Sequence, residues 1–488
     1  MFFRLSHEFT DFDYRFNVQL KVIRMFNRRH VLQSASAGFG LLALAGLTQR
    51  LAAQDAMIAS GSRNPLLPKT PHFPARAKRV IFLCMGGGPS HLDSFDYKPL
   101  LKRDHGKPGR FGGKLLRSPW DFRQRGESGL WISDLFPEVA KFADDLTLLR
   151  SMHCDQPVHS GALTQMHTGT AQFIRPSLGA WSLYGLGSEN ESLPGFISLN
   201  PLAGSSTNLG SAFLPAVYGG TPIGRPGRLG GGQGFRGGDN GDAIRDIRNQ
   251  RLSRTEQRKQ LDLIQSLNQQ KLDRDRYQPG VEGMIESFEL AFRMQDALPE
   301  LMDVSDEDAK TLELYGINGG PSQEFGKQCL LARRFAEAGV RFIEVSHGGW
   351  DQHANLTTDH GARAAACDQA IAGLLTDLKQ RSLLDETLVI WGGEFGRSPA
   401  AQGIDGRNHN NRGYTTWMAG GGVKGGFSYG ATDEHGYEAV DRPMHIHDWH
   451  ATILHLMGLD HERLTYRYAG RDFRLTDVHG VVAKEIIA

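Results

Sequence analysis

Val80-Ile81-Phe82-Leu83-Cys84-Met85 is an unbroken apolar run of strand length, and Gly86-Gly87-Gly88-Pro89-Ser90-His91-Leu92-Asp93-Ser94-Phe95-Asp96 follows it as a glycine-rich polar loop. A strand that is apolar at every position is buried on both faces, which is the mark of a parallel strand in a sheet covered by helices. The same step recurs further along the chain. A helix around Cys329 to Phe335 leads into the strand Arg341 to Val345, which ends in Ser346-His347-Gly348-Gly349-Trp350-Asp351-Gln352-His353. A second helix, with Ile371, Leu374, Leu375 and Leu378 at i, i+3, i+4 and i+7, leads into Thr387 to Trp391, which ends in Gly392-Gly393-Glu394-Phe395-Gly396. This alternation predicts an α/β fold: a central, mostly parallel sheet with helices on both faces. Three strands then release acids and histidines just beyond their C-terminal ends, where open α/β sheets place their sites.

Composition agrees with a soluble globular protein. Hydrophobic residues at 40% and charged residues at 22% support a sizeable core in a chain of 488 residues. Lys plus Arg number 55 against 54 Asp plus Glu, so no basic stripe for nucleic acid and no basic membrane patch is expected. Cys84, Cys154, Cys329 and Cys367 lack CxxC spacing and cannot form a compact thiolate zinc site by proximity in sequence. Two readings stay open for them, buried free thiols or one or two disulfides after export.

The N-terminus reads as an address. Asn27-Arg28-Arg29-His30-Val31-Leu32-Gln33 precedes an uncharged run of small and apolar residues, Ala35 to Leu47, and then Leu51-Ala52-Ala53. Basic region, apolar region and small-residue exit make a signal peptide over 1–53, and the paired arginines resemble the twin-arginine signal. An ordinary basic region would begin at Met25, which makes it an alternative start to Met1. The apolar run is too short for a permanent span, so a mature chain without a stable membrane span, delivered by the twin-arginine translocon to the periplasm or beyond, is expected. Residues 54–77, with Pro65, Pro68, Pro71 and Pro74, read as a linker or arm. Residues 78–488 form the main domain, interrupted over about 204–276 by a glycine-rich stretch, Gly204 to Gly241, and a charged helical stretch, Asp242 to Arg276.

Asp93, Asp96, Asp351, His353, Glu394, His409, His445 and His447 lie in or beside glycine-rich loops. Mixed carboxylates and imidazoles favour zinc or another borderline divalent ion, whereas calcium or magnesium would prefer the carboxylates alone. Asp351-x-His353 can turn both side chains toward one ion from a bent loop. His445 and His447 stand at the start of an amphipathic helix, Asp448 to Leu459, for which Asp448 is the expected cap.

Several of these segments resemble the alkaline phosphatase and sulfatase superfamily. Thr387 to Trp391 with Gly-Gly-Glu-Phe-Gly is similar to a strand that in those enzymes ends in an Asp-His pair, here Glu394 and Phe395. Pro157-Val158-His159-Ser160-Gly161-Ala162-Leu163-Thr164-Gln165-Met166-His167-Thr168-Gly169 resembles the stretch that opens with the nucleophile and closes in Thr-Gly. The whole arrangement is most similar to the secreted bacterial family known as domain of unknown function 1501, through the loop after Met85, Gly-Gly-Glu-Phe-Gly-Arg-Ser-Pro and His-Ile-His-Asp-Trp-His-Ala-Thr-Ile-Leu-His. The resemblance implies one or two divalent ions, zinc foremost, with Asp93, Asp351, His353, Glu394, His409 and His447 as metal ligands. It implies Ser160 as nucleophile, assisted by the ion or by His159, and Arg175 and Arg397 as groups that neutralise the anionic ester. The expected activity is hydrolysis of phosphate or sulfate esters of a small molecule or polysaccharide. Its alternative is a catalytically degenerate relative serving as a binding or accessory protein, because Phe395 cannot replace a histidine ligand and the first strand does not end directly in an aspartate.

Overall fold

The computed structural model describes residues 64–202, 207–224, 251–275 and 279–488. The signal region expected at 1–53 lies outside the described residues, as do 203–206 and 225–250 of the expected insertion. Strand β1, Arg79–Gly86, is buried at every position. Its side chains alternate between two cores: Val80, Phe82 and Cys84 enter one, Ile81, Leu83 and Met85 the other. Each large side chain so buried contributes about 1.5–3 kcal/mol relative to exposure, which is why a strand without polar positions settles at the centre of a layered domain.

In chain order the remaining elements that position the site are β2 (Leu146–His153), α1 (His159–Thr168), β3 (Phe196–Leu199), β4 (Thr221–Ile223), α2 (Gln323–Glu337), β5 (Phe342–Gly348), α3 (Gly361–Gln380), β6 (Thr387–Gly392), β7 (Gly396–Gln402), β8 (Gly406–Asn410), β9 (Tyr414–Ala419), β10 (Phe427–Tyr429), β11 (Met444–His445) and α4 (Ile446–Leu456). The central sheet has nine strands in the order β10-β2-β9-β6-β1-β5-β3-β4, with β11 beside β2. It is mixed and mostly parallel: β9 runs against both its neighbours, β2 and β6, and the other paired neighbours run in parallel. Helices α2 and α3 cover one face, and α1 and α4 the other. The fold class read from the sequence is therefore the observed one. Residues 64–77 form an arm without regular structure, tied by backbone hydrogen bonds to Leu186, Leu456 and Gly458.

Several expectations need correction. Helix α4 begins before Asp448: His445 is its N-cap, and the Asp448 carboxylate sits one turn in, accepting from the His445 N–H at 3.0 Å. Within the charged stretch the described residues form a helix, Arg254–Asp275; 242–250 and Arg276 lie outside the described residues. All four cysteines are free and buried, so the disulfide reading does not hold. Among the described residues, no helix is long and apolar enough to cross a membrane.

Candidate metal centre

Because β2, β6, β1 and β5 run the same way, their C-terminal ends lie along one rim. The register pairs Gly86 of β1 with Gly348 of β5 and Cys84 with Gly392 of β6, so three glycine-rich loops leave the sheet side by side. The loop after β5 carries Asp351 and His353, the loop after β6 carries Glu394, and the chain after β2 turns into α1, whose first residue is His159. His409 arrives on the antiparallel hairpin β7–β8.

These elements bring His159, Asp351, His353 and His409 together, each half-buried and each offering one ligand atom within 4.8 Å of the others. Asp351 Oδ1 is the meeting point. It lies 2.9 Å from His353 Nε2, 3.3 Å from His409 Nε2 and 3.2 Å from His159 Nε2. The two Nε2 atoms of His353 and His409 are 3.1 Å apart. Four ligands at zinc bond lengths of about 2.0–2.1 Å stand about 3.3 Å from one another on a tetrahedron, so these spacings are those of a tetrahedral edge.

Hydrogen bonds behind two of the rings fix which nitrogen faces inward. His409 Nδ1 donates to the Pro157 carbonyl at 2.8 Å, and His353 Nδ1 donates to the Gln402 Oε1 at 2.6 Å. Both acceptors lack a proton to give, so each Nδ1 carries the hydrogen and each Nε2 presents a lone pair. Two lone pairs and a carboxylate oxygen facing one another repel unless a proton or a cation lies between them. His159 Nε2 is also buried and out of alignment for any hydrogen bond. The residues thus fit a divalent ion with mixed nitrogen and oxygen donors, and the orienting acceptors are of the kind that accompany ligating histidines.

The same groups set the electrostatics of the metal-free site. Burial disfavours the charged His159 ring, but Asp351 and Glu394 outweigh it and hold its pKa up at about 9, so an ion bound there would displace the Nε2 proton. Burial also disfavours the Asp351 carboxylate, and the neighbouring His159, His409 and Arg397 outweigh that and hold it far below the usual carboxylate range. Phe395, 1% exposed, walls the cluster, with its ring centroid 4.7 Å from those of both His159 and His409. A cleft of about 390 Å³ opens beside His409, lined among others by Phe111, Ser398, Asn408, Asn411 and Arg412.

Other candidates from the sequence are placed elsewhere. Asp93 is fully buried in an ion pair with Arg407 at 2.7 Å and accepts from Ser90, which leaves it no open oxygen. Asp96 is likewise buried against Lys98 and Arg150. His447 donates through Nε2 to the Gly169 carbonyl at 2.7 Å and stacks on His479, apart from the cluster. Arg175 pairs with Asp477 over the Phe473 ring. Arg397 is 1% exposed; its guanidinium is bound by the carbonyls of Gly87, Gly88, Trp350 and Arg407 and by Asp351, so it secures the loops instead of facing an ester. Ser160 is exposed on the first turn of α1, adjacent to His159. Glu394 is not among the four; it touches His159 from behind, Oε1 to Nδ1 at 2.6 Å.

Sequence reasoning missed Gln402 and the Pro157 carbonyl, which carry no motif signal. It also missed a second group of ligand types, Cys84, His167 and Glu344, buried in the core. A charged residue inside the apolar run Phe342-Ile343-Glu344-Val345 was the available signal, since a buried carboxylate demands a partner.

Fold and rim cluster together define an α/β protein with a candidate divalent-metal centre at the C-terminal ends of its parallel strands. The chain belongs to the family described as "Protein of unknown function (DUF1501)", which matches residues 77–487. No curated protein matches the chain. Among solved structures it is similar to the PsFucS1 sulfatase from Pseudoalteromonas sp., at 14% identity over 79% of this chain and 69% of that one, with a TM-score of 0.34. It is similar also to the phosphonate monoester hydrolase from Silicibacter pomeroyi, at 10% identity over 78% and 73%, with a TM-score of 0.29. A TAB5 alkaline phosphatase mutant gives 12% identity over 71% and 92%, with a TM-score of 0.30. Likenesses at this level decide nothing about activity, which has to be read from the site's own atoms.

Proposed function

We propose that the chain is an extracytoplasmic, metal-dependent hydrolase of phosphate or sulfate esters, exported by the twin-arginine route and acting on a small-molecule or polysaccharide ester. The observation that carries this reading is the convergence of imidazole Nε2 atoms on Asp351 Oδ1, with rings oriented from behind by Pro157 and Gln402. One zinc ion held by His159, Asp351, His353 and His409 would supply Lewis-acid stabilisation of the negative charge that develops on the ester. The address Asn27-Arg28-Arg29-His30 is the support for export.

The chain's own residues divide the remaining work. Ser160 is the nucleophile in this reading: its exposed oxygen attacks phosphorus or sulfur, the bond to the ester oxygen breaks, the hydroxyl proton leaves with that oxygen as the alcohol, and water then cleaves the seryl ester and returns a proton to the serine. It stands on the first turn of a ten-residue helix, whose N-terminal end favours an anionic group. Phe395 keeps water from one side of the cluster. The cleft beside His409 gives the alcohol portion of the ester a place, with Phe111 as an apolar surface and Asn408 and Asn411 as hydrogen-bonding groups.

A binding or accessory role is the second reading, and one observation favours it. Among the described residues one ligand group lies at the rim, enough for one of the one or two ions expected, and Arg397 is committed to protein acceptors, so it is not free to neutralise an ester. Metal content of the full chain, combined with hydrolysis of aryl phosphate and aryl sulfate esters by wild type and Ser160→Ala, separates the readings. One ion per chain with turnover lost in Ser160→Ala supports the hydrolase. An ion without turnover moves the assignment to the accessory role, and no ion removes the metal-dependent reading.

A further inference from the structure

We propose that Glu394 is a positioning residue, not a ligand: it fixes His159 from behind so that Nε2 faces the cluster. The inference rests on the reading of the rim cluster as a metal centre and deepens it. Glu394 is 0% exposed, and its carboxylate has two partners. The Gly87 N–H donates to both oxygens, at 3.0 and 3.2 Å, and His159 Nδ1 lies 2.6 Å from Oε1. A carboxylate can only accept, so Nδ1 holds its hydrogen toward Glu394 and the opposite nitrogen is turned toward Asp351. Glu394 is not among the residues whose ligand atoms gather at the rim.

The bracket is anchored at both ends. Gly87 has φ of 110° and a Cβ there would meet the backbone nitrogen of Trp350 at 2.7 Å, so the strand-to-loop turn that aims its N–H at Glu394 is open only to glycine. On the other side, His159 is packed by the Phe395 ring, which follows Glu394 in sequence, so the same short loop sets both the tilt and the hydrogen bond of the imidazole. The three histidines therefore share one plan with acceptors of different strength: a carbonyl for His409, an amide for His353, and a buried carboxylate for His159. A carboxylate acceptor raises the donor strength of the ring most, which makes His159 the histidine whose outer partner matters most to metal affinity.

The test compares the full chain with Glu394→Gln, Glu394→Ala, Gln402→Ala and Asp351→Asn. Zinc affinity is measured by competition with a chromophoric chelator, and the His159 Nδ1–H by nitrogen-resolved NMR of the metal-free chain. Wild type is expected to show a downfield, slowly exchanging Nδ1–H. Glu394→Ala is expected to lose that signal and about 10–100-fold in zinc affinity. Glu394→Gln, which keeps an acceptor and loses the charge, is expected to retain the signal with a smaller drop in affinity, and Gln402→Ala to fall less than Glu394→Ala. An unchanged Nδ1–H in Glu394→Ala overturns the proposal, and so does a loss of zinc in Glu394→Gln as deep as in Asp351→Asn, which would make Glu394 a ligand. If wild type takes up no zinc, the hydrolase reading fails while the Nδ1–H signal still decides whether Glu394 holds His159.

Discussion

The molecule contains two groups of ligand-type residues with opposite characters. At the rim, His159, Asp351, His353 and His409 are half-exposed, come from loops and a helix start, and leave imidazole lone pairs facing one oxygen. In the core, Cys84, His167 and Glu344 are fully buried on β1, α1 and β5. Yet the core pair is already complete. His167 Nδ1 bonds the Leu163 carbonyl and its Nε2 meets Glu344 Oε2 at 2.9 Å, while Ser198 and Ser346 donate to the other Glu344 oxygen. Residue type alone does not separate a functional site from a structural one. What separates them is whether the polar atoms are satisfied by the protein itself.

The sharpest way to break the comparison is to break the core pair. Glu344→Ala or His167→Ala leaves an uncompensated buried charge and is expected to cost about 3–5 kcal/mol in urea unfolding, with zinc uptake per folded molecule unchanged. The rim should respond in the reverse sense. Asp351→Asn or His409→Ala is expected to lose at least about 100-fold in zinc affinity, close to 2.8 kcal/mol of binding, while His409→Ala moves metal-free stability by less than about 1 kcal/mol.

The pH dependence of stability sharpens the contrast further. Burial works against both charges of the core pair, but their mutual attraction prevails, lowering Glu344 from its ordinary 4.5 and raising His167 from its ordinary 6.5. The Glu344 contribution is therefore full above pH 4.5 and drains as pH falls through its folded value. The His167 contribution is full below pH 6.5 and drains as pH rises through its folded value. A Glu344→Gln/His167→Gln double variant should flatten both limbs of the stability curve measured by urea unfolding from pH 3 to 9. The smallest effect concerns Cys84, whose thiol burial pushes well up, with Glu344 and Glu394 adding to the shift. Alkylation by iodoacetamide is expected to be undetectable in the folded chain and complete after unfolding.

The sheet was readable in the sequence because fully buried parallel strands show no alternation: Val80 to Met85 and Thr387 to Trp391 could be little else. The loops bearing Asp351, His353 and Glu394 followed from the same logic, since parallel strands deliver their C-terminal ends to one rim, whereas His409 reaches it on an antiparallel hairpin. Asp93, His447, Arg175 and Arg397 are held by partners that the sequence did not reveal, for a common reason. Each is paired with a group distant in sequence, Arg407, Gly169, Asp477 and the Gly87–Gly88 turn respectively, and such pairings are set by tertiary packing. The family resemblance offered His159 as an assistant to Ser160, and the structure sets its Nε2 3.2 Å from Asp351 Oδ1. Glu344 shows what a lone charge in an apolar run can reveal: it announced a buried partner without naming His167.

The account stands on the rim cluster holding a divalent ion, and anomalous scattering at the zinc edge from crystals of the zinc-equilibrated chain tests this most directly. The expected result is one peak about 2.0–2.2 Å from Asp351 Oδ1 and from the Nε2 atoms of His159, His353 and His409. No peak there, or a peak between Cys84, His167 and Glu344, would contradict it.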